Sequence, residues 1–508
     1  SFALGQRVLK LIGMEFESEP ENFIFSFPLG LAILAYITFF LGIIGLLYKS
    51  ALITVLLLLF ILLRKDIKSM TLNLFRFIKN LDKNILIKKY DIGFNYFSIL
   101  LVFLLLFAFL NLIASFAPPW NFDVLTYHLA VEKIYIRAHR IIFIPYIFFS
   151  NFPSLVDTIY LNGLLLHNGV LSNLFGYALG ITLVLAIYYF CKKFFSSKIA
   201  VLAPLLFYSF PMVIGLSSNA HIDVQLTLFV FLSLYGLFMY FRSKNNKWLI
   251  LCYIFAGFGA SSQSFGAVAV FGILVLLIFH LFKESLKKNI EYRTAFFKII
   301  IFCLIVFLIT LPWLLKSYLY TGNPFWPVFN DIFDGKYWDK KHQDGLSYLI
   351  NSKQINLVNY IRLPWDIHTP IDRQNVYEER GIGPFFLAFL PLYFLLRKKN
   401  KILNEFFILI FIYVTIWFFI SVTLRYIIFI MPMVAIISAY TITDLLKNIY
   451  LSKILKILLI FTFSFNLLLG IGGKAKEVSV AIGLESADNF YLKYLGSIYK
   501  ASKFINNE

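Results

Sequence analysis

Long apolar runs restrict this 508-residue chain to one class of fold. Stretches of about 20 residues with few or no charges, each long enough to cross a hydrocarbon layer roughly 30 Å thick, recur from near the start to residue 473. A mean hydropathy of +0.79, with only 14% of residues charged, leaves too little polar surface to clothe a water-soluble domain. The expectation is an all-α polytopic membrane protein with one large helical domain. Apolar runs bounded by charge, Pro or Gly predict spans near 26–48, 51–63, 95–117, 168–190, 199–216, 222–241, 248–262, 265–282, 297–319, 382–396, 403–422, 425–445 and 454–472, about 13 transmembrane helices, of which the second and seventh are short.

A formal charge of +19 is not a nucleic-acid signal here, because Lys and Arg gather in short clusters between apolar runs instead of along one polar face. "RKDIKSMTLNLFRFIKNLDKNILIKKYD", "CKKFFSSK", "FRSKNNKW", "FKESLKKNIEYR", "LRKKNK" and "LKNIYLSK" hold over half of all basic residues and fall on alternate sides of successive spans. These are expected on the cytoplasmic face of a plasma or inner membrane, with the N-terminus. The opposite turns, "SSNAHID", "SSQS" and "SVTLR", are nearly free of positive charge and are expected outside. Cys191, Cys252 and Cys303 lie in or beside apolar segments, which argues against a disulfide framework or a thiolate metal site.

"LGQRVLKLIGMEF" is too polar and short for the apolar core of a signal peptide, and a chain opening on Ser1 is expected to lack a few leading residues. Residues 1–475 are read as the transmembrane domain, and 476–508 as the beginning of an extracytoplasmic segment that is truncated at Glu508. Two outer connections, Pro118 to about His167 and Gly322 to Arg380, are too long for simple turns. In the first, "FDVLTYHLAVEKIYIRAHR" and "FPSLVDTIYLNGLLL" have mixed-face helical spacing and predict two amphipathic interfacial helices.

The first outer connection also carries the polar residues that a greasy chain must explain. Pro118 and Pro119 stop the third span, Asn121 can cap the next helix, and Asp123 falls in its first turn at the water interface. There it could meet a water-soluble acceptor and a lipid-borne donor, or simply favour a helix N-terminus. His128 and Glu132 are four apart and can pair on one face, while Lys133 and Arg137 form a similarly spaced basic pair. "SSNAHIDVQ" sets His221 and Asp223 at the mouth of another span, where an acid is either functional or a cap after Ser218 and Asn219. Gln263, Lys316 and Arg425 mark three more outer span ends. Gathered, they would form a phosphate-sized cationic pocket facing the lipid headgroup; singly, the two cations would snorkel to the interface. No Walker loop, HExxH or Gly-rich nucleotide turn occurs.

"FDVLTYHLAVEKIYI", "NFPSLVDTIYL", "SSNAHIDVQLTLFVFLSLYGL", "PWLLKSYLYTGNPFWP", "GIGPFFLAFLPL", "RYIIFIMPMVAI" and "AIGLESADNFYLKYL" together resemble, in order and placement, the polyprenyl-phosphate-dependent GT-C type glycosyltransferases related to dolichyl-phosphate-mannose protein mannosyltransferases. The resemblance runs through nearly the whole chain. It implies an acid in the first outer loop as general base, matched by Asp123, with Asp223 matching a second acid, and basic residues holding the lipid phosphate. Where similar sequences have a lysine, this chain has Gln263, so Lys316, Arg425 or Lys133 carries more of the phosphate binding or the donor site is altered.

The implied reaction moves a sugar from a polyprenyl-phosphate donor to a glycan, lipid or protein acceptor hydroxyl outside the membrane, with inversion. Asp123 and Asp223 are the expected catalytic residues, and His128, Lys133, His221, Gln263, Lys316 and Arg425 the substrate-binding ones. No cofactor or metal ligand set is demanded by the sequence, and a divalent metal is compatible with it. The rival readings are a lipid-linked sugar transporter or flippase, disfavoured by the lack of internal repeats and by polar residues collecting at one face, and a noncatalytic subunit of envelope synthesis in which both aspartates are caps.

Overall fold

The structure is a computed structural model that describes residues 1–71, 96–351, 355–366, 384–421 and 423–507. The basic run expected at 64–91 and the motif at 381–392 fall partly outside those residues, as does the end of the second outer connection. The chain is an all-α polytopic membrane protein, and no strand occurs among the described residues. Every backbone polar group in lipid must be paired within its own segment, which a helix does and an irregular chain does not.

Each of the 13 expected spans coincides with helix, but not all are long enough to cross a bilayer alone. Nine helices among the described residues have the length and apolarity of a span: Glu19–Ile43, Tyr96–Ser115, Gly169–Phe194, Asp223–Ser243, Ser264–Leu286, Tyr292–Thr321, Lys401–Ile420, Leu424–Leu445 and Ile449–Ala481. Lys49–Leu62, Asn246–Ala260 and Pro384–Leu392 are shorter, and the span expected at 199–216 breaks into Ser197–Tyr208 and Pro211–Leu216. Pro211 explains that break: its ring fixes φ and suits the first turn of a new helix, not the continuation of an old one. Ile449–Ala481 runs through the division expected at residue 475, so the span and the start of the C-terminal segment form one rod. Two amphipathic helices, Ala487–Leu495 and Ser497–Asn507, come after it.

Asp223–Ser243 is the central element, with 94% of its apolar window buried, whereas Tyr292–Thr321 and Ile449–Ala481 have 17% buried and present apolar flanks outward. In water such exposed Phe, Leu and Ile would be untenable; against lipid tails they are the expected surface. At one end of the bundle basic residues knit neighbouring helices. Lys193 pairs with Glu21 at 3.2 Å, Arg242 donates to the Lys193 carbonyl at 2.8 Å, and Tyr235 donates to Glu21 at 2.8 Å. The N-terminal helix Phe2–Leu11 crosses Glu19–Ile43 where Gly30 meets the backbone of Ser1; a Cβ on Gly30 would lie 1.9 Å from the Ser1 carbonyl oxygen, so no larger residue fits.

The two helices of the connection from Pro118 to about His167 differ from each other. Leu129–Ala138 has the expected two-faced character, burying Leu129, Val131, Glu132 and Tyr135 while Lys133 and Arg137 are exposed. Leu155–Leu166, expected to lie at the interface, is instead buried on most sides, with Leu155, Val156, Ile159, Tyr160 and Leu161 fully enclosed. It packs against Glu19–Ile43 and Gly169–Phe194. Its run of apolar residues is too continuous to leave a wet face, so the bundle absorbs it.

Candidate functional site

Asp123 and His128 owe their relation to an irregular turn. Residues Val124–His128 wind as a π-helix, and the Leu129 N–H reaches back five residues to the Val124 carbonyl. In an α-helix residues five apart diverge by about 140°; the wider turn brings Asp123 and His128 onto one side. Single π-turns of this kind cost hydrogen-bond quality and recur at functional sites. Opposite them, the segment before Asp223–Ser243 places His221 and Asp223, and the short 3₁₀ stretch Leu424–Ile430 delivers Arg425.

Three distant parts of the chain therefore converge on one guanidinium. Arg425 Nη2 lies 2.7 Å from Asp123 Oδ2, and Arg425 Nε lies 3.4 Å from Asp223 Oδ1. Asp223 is 1% exposed and the Asp123 side chain 16%, so one carboxylate is dry and the other reaches the surface. Asp123, His128 and His221 offer ligand atoms that all lie within 4.8 Å of one another. The two imidazole centroids are 6.0 Å apart. Burial, and then the neighbouring Arg425, His128 and Lys474 side chains, hold the His221 imidazole well below the usual histidine range. Burial and the adjacent Asp123 carboxylate push the Tyr127 phenol up.

His128 joins this group to a second one. Its Nδ1 lies 2.7 Å from Asp157 Oδ1, not against Glu132 as the i, i+4 spacing suggests. Glu132 instead faces Lys316 and Asp157, and burial, with Asp157 beside it, pushes the Glu132 carboxyl well up. Lys316 donates to the Ser150 carbonyl at 2.6 Å. Lys316 and Arg425 are thus both buried in polar surroundings, but of the two it is Arg425 that contacts Asp123 and Asp223 in ion pairs. Lys133 is exposed on the other face of its helix and does not join them. Gln263 stands at the N-terminus of Ser264–Leu286, near enough to hydrogen-bond the Tyr426 phenol.

Residues that sequence spacing did not single out hold this arrangement in place. Asn173, fully buried on Gly169–Phe194, donates to the Ala117 carbonyl at 3.0 Å and accepts from the Ala220 N–H at 3.0 Å. One amide thereby ties the segment leading to Asp123 to the segment leading to Asp223. Gln225 donates to the Gly176 carbonyl at 2.9 Å, and a Cβ on Gly176 would sit 2.9 Å from the Asn219 carbonyl oxygen, so the turn bearing His221 lies directly on that glycine. Lys474 donates to the Gly215 carbonyl at 2.9 Å and lies 3.5 Å from Glu477. Glu477 in turn accepts from the Trp120 indole at 3.3 Å, while Lys476 sits 3.3 Å above the Trp120 ring. An Asn inside an apolar run was the one available signal for Asn173, since a buried amide demands partners.

A hollow of about 530 Å³ lies elsewhere, lined by Gln6, Lys10, Glu15, Glu17 and Asn22 at the basic end of the bundle, far from these residues in the fold. Its groups are mostly exposed, and they make no convergent set comparable to the Arg425 cluster.

Residues 163–313 match the family model of dolichyl-phosphate-mannose-protein mannosyltransferases. His221, Asp223 and Gln263 lie inside that segment, and Asp123, Lys316 and Arg425 outside it. No curated protein sequence matches the chain. Among solved structures, ArnT from Cupriavidus metallidurans bound to undecaprenyl phosphate aligns at 12% identity over 80% of this chain and 73% of that one, with a TM-score of 0.49. The apo form of ArnT from the same organism aligns at 14% identity over 68% and 66%, with a TM-score of 0.38. The family match, centred on the turns that carry Asp223 and Gln263, supports the resemblance to polyprenyl-phosphate-dependent GT-C type glycosyltransferases drawn from the sequence motifs.

Proposed function

We propose that the chain is a membrane glycosyltransferase that moves a sugar from a polyprenyl-phosphate donor to an acceptor hydroxyl on the extracytoplasmic face, inverting the anomeric centre. The observation that carries the reading is the convergence of Asp123, Asp223 and Arg425 from three segments far apart in the chain. Caps or interfacial anchors have no reason to meet, because each would be satisfied where it stands.

Asp123 is the better placed of the two acids to receive a proton. Its side chain keeps access to the outside while Asp223 is enclosed. As general base it would take the proton of the acceptor hydroxyl while that oxygen attacks the anomeric carbon from the face opposite the phosphate. Polyprenyl phosphate is a fair leaving group, so the leaving oxygen needs stabilised charge and no acid. Arg425, with five donors on a planar fork, can orient both carboxylates and still direct N–H groups at a phosphate oxygen. Asp223 holds that fork from the buried side.

Asp123→Asn tests the assignment. With the purified protein in lipid vesicles and a labelled polyprenyl-phosphate sugar, loss of the base should lower the transfer rate by about 10²- to 10⁴-fold, with folding and donor binding retained. Transfer within threefold of the unaltered protein would remove Asp123 from the mechanism. A flippase would instead move labelled donor across the vesicle membrane with no new glycosidic bond.

A further inference from the structure

We infer that the rings of Tyr127, Phe149 and Phe148 form a stacking platform for a pyranose unit of a carbohydrate acceptor, beside Asp123. This rests on the proposed transfer reaction and names the acceptor class as glycan, in place of lipid or protein.

The rings make a continuous file that starts at the proposed base. The Tyr127 phenol lies beside the Asp123 carboxylate. Its ring stacks on Phe149, with centroids 4.3 Å and planes 26° apart, and the Phe149 ring lies 3.9 Å from that of Phe148. Phe148 is therefore two ring steps from Tyr127, within reach of an acceptor whose hydroxyl stands at Asp123. With Phe149 against it, Phe148 is still 39% exposed, so the file ends on a ring open to a ligand.

The connection that begins at Gly322, whose aromatic residues have no part in the transfer chemistry, fixes this file from behind. Trp338 lies 5.8 Å from Phe148 and 5.6 Å from Trp326. The Trp326 indole donates to the Phe148 carbonyl at 3.3 Å, and the Trp338 indole donates to Gln343 at 2.9 Å. Rings held in this way need no further ordering when a ligand arrives, which lowers the cost of binding. Polar groups follow at the rim. The His342 ring lies 5.4 Å from that of Trp338 and pairs with Asp339 at 2.7 Å, and both side chains are exposed.

An aromatic face with polar groups at its rim matches a pyranose, which offers C–H groups on one face and hydroxyls around its edge. Rings that merely anchor a protein in lipid differ in one respect. An interfacial Trp turns its N–H toward the headgroup layer, whereas both indoles here spend theirs inside the protein. An extended peptide would ask for main-chain hydrogen bonds at a strand edge, and no strand occurs among the described residues. With a sugar on the platform, the oxygen of its hydroxyl bonds the anomeric carbon of the donor and the hydroxyl proton passes to Asp123. The bond from that carbon to the phosphate oxygen breaks, leaving its electron pair on the phosphate.

The test uses the full chain in detergent, with no sugar donor present, on an array of immobilised hexose and hexosamine oligosaccharides beside Ser- and Thr-containing peptides. The expected result is saturable retention on oligosaccharides and none on peptides. Phe148→Leu keeps the apolar bulk and removes the ring face, so it should weaken retention about tenfold, while Phe148→Tyr binds as the parent does; the thermal midpoints of both variants should match the parent's. A chain that holds no oligosaccharide, that holds peptides instead, or whose Phe148→Leu variant binds as the parent does overturns the platform, the last because a lipid contact tolerates Leu. Retention needs no turnover. A chain that holds oligosaccharides and transfers no sugar keeps the platform and loses the proposed reaction, and one that transfers sugar to lipid alone keeps the reaction and loses the platform.

Discussion

Replacing Arg425 by Gln removes the guanidinium that contacts both carboxylates, and the structure says which of the two suffers. Asp123 is 16% exposed and can recover water, whereas Asp223 is 1% exposed and cannot. Removing one partner of a buried ion pair costs about 3–5 kcal/mol because the other charge is left uncompensated. Spread over a chain of this size, at ~1–2 °C per kcal/mol, that is a fall of roughly 5 °C in the thermal midpoint of the detergent-solubilised protein. Arg425→Lys keeps the charge but puts it on a single point that cannot bridge contacts at 2.7 and 3.4 Å, so its midpoint should fall between the two. The decisive variant is the pair Arg425→Gln with Asp223→Asn. If the loss comes from a stranded Asp223 charge, neutralising that residue should return about 2 kcal/mol, a coupling within the range for contacting groups. Unfolding of a membrane protein of this kind is irreversible, so the order of midpoints at one scan rate is the quantity to compare. A double variant no more stable than Arg425→Gln alone would refute the ion-pair reasoning. It would leave Arg425 as a packing residue and weaken the case that these three segments were brought together for chemistry.

The neighbours of the site give two further expectations. Glu132 has its carboxyl raised by burial, so the folded protein holds a proton that the unfolded chain releases above about pH 4.5, and stability falls as pH rises from there toward the raised value. Glu132→Gln should accordingly match or exceed the parent's thermal midpoint at pH 8 and lose that advantage at pH 4; a variant less stable at pH 8 would show the carboxylate to be ionised against Lys316. Trp120→Ala removes the Lys476 ring contact, the Glu477 hydrogen bond and the ring contacts to Phe490 and Tyr494 beyond the helix. It should loosen residues after 481 by about 1–2 kcal/mol, seen as faster proteolytic cleavage there, and unchanged cleavage would mean that the Tyr491 contact to the Pro119 carbonyl holds the segment alone.

The membrane-spanning class, the order of the helices and the polar span ends were legible in the sequence because they arise from local composition. An apolar run of sufficient length has one stable form in lipid, and its position can be read without knowing its neighbours. The limits of that reading are equally physical. Length alone did not tell that Ser197–Tyr208 and Pro211–Leu216 are two pieces, or that Leu155–Leu166 is drawn into the bundle instead of resting on its rim.

Which polar residues meet was a matter for the tertiary structure. Helical spacing paired His128 with Glu132, but the fold set His128 against Asp157, and a π-turn, a local defect that periodicity cannot announce, brought it to the side of Asp123 and His221. Arg425 and Lys316 looked alike as lone cations at span ends, and packing separated them, one onto Asp123 and Asp223 and the other onto the Ser150 carbonyl. Sequence sets the depth at which a side chain sits, since depth depends on its own helix; its partner depends on how other helices are rotated and crossed, and that is decided by packing across the whole bundle.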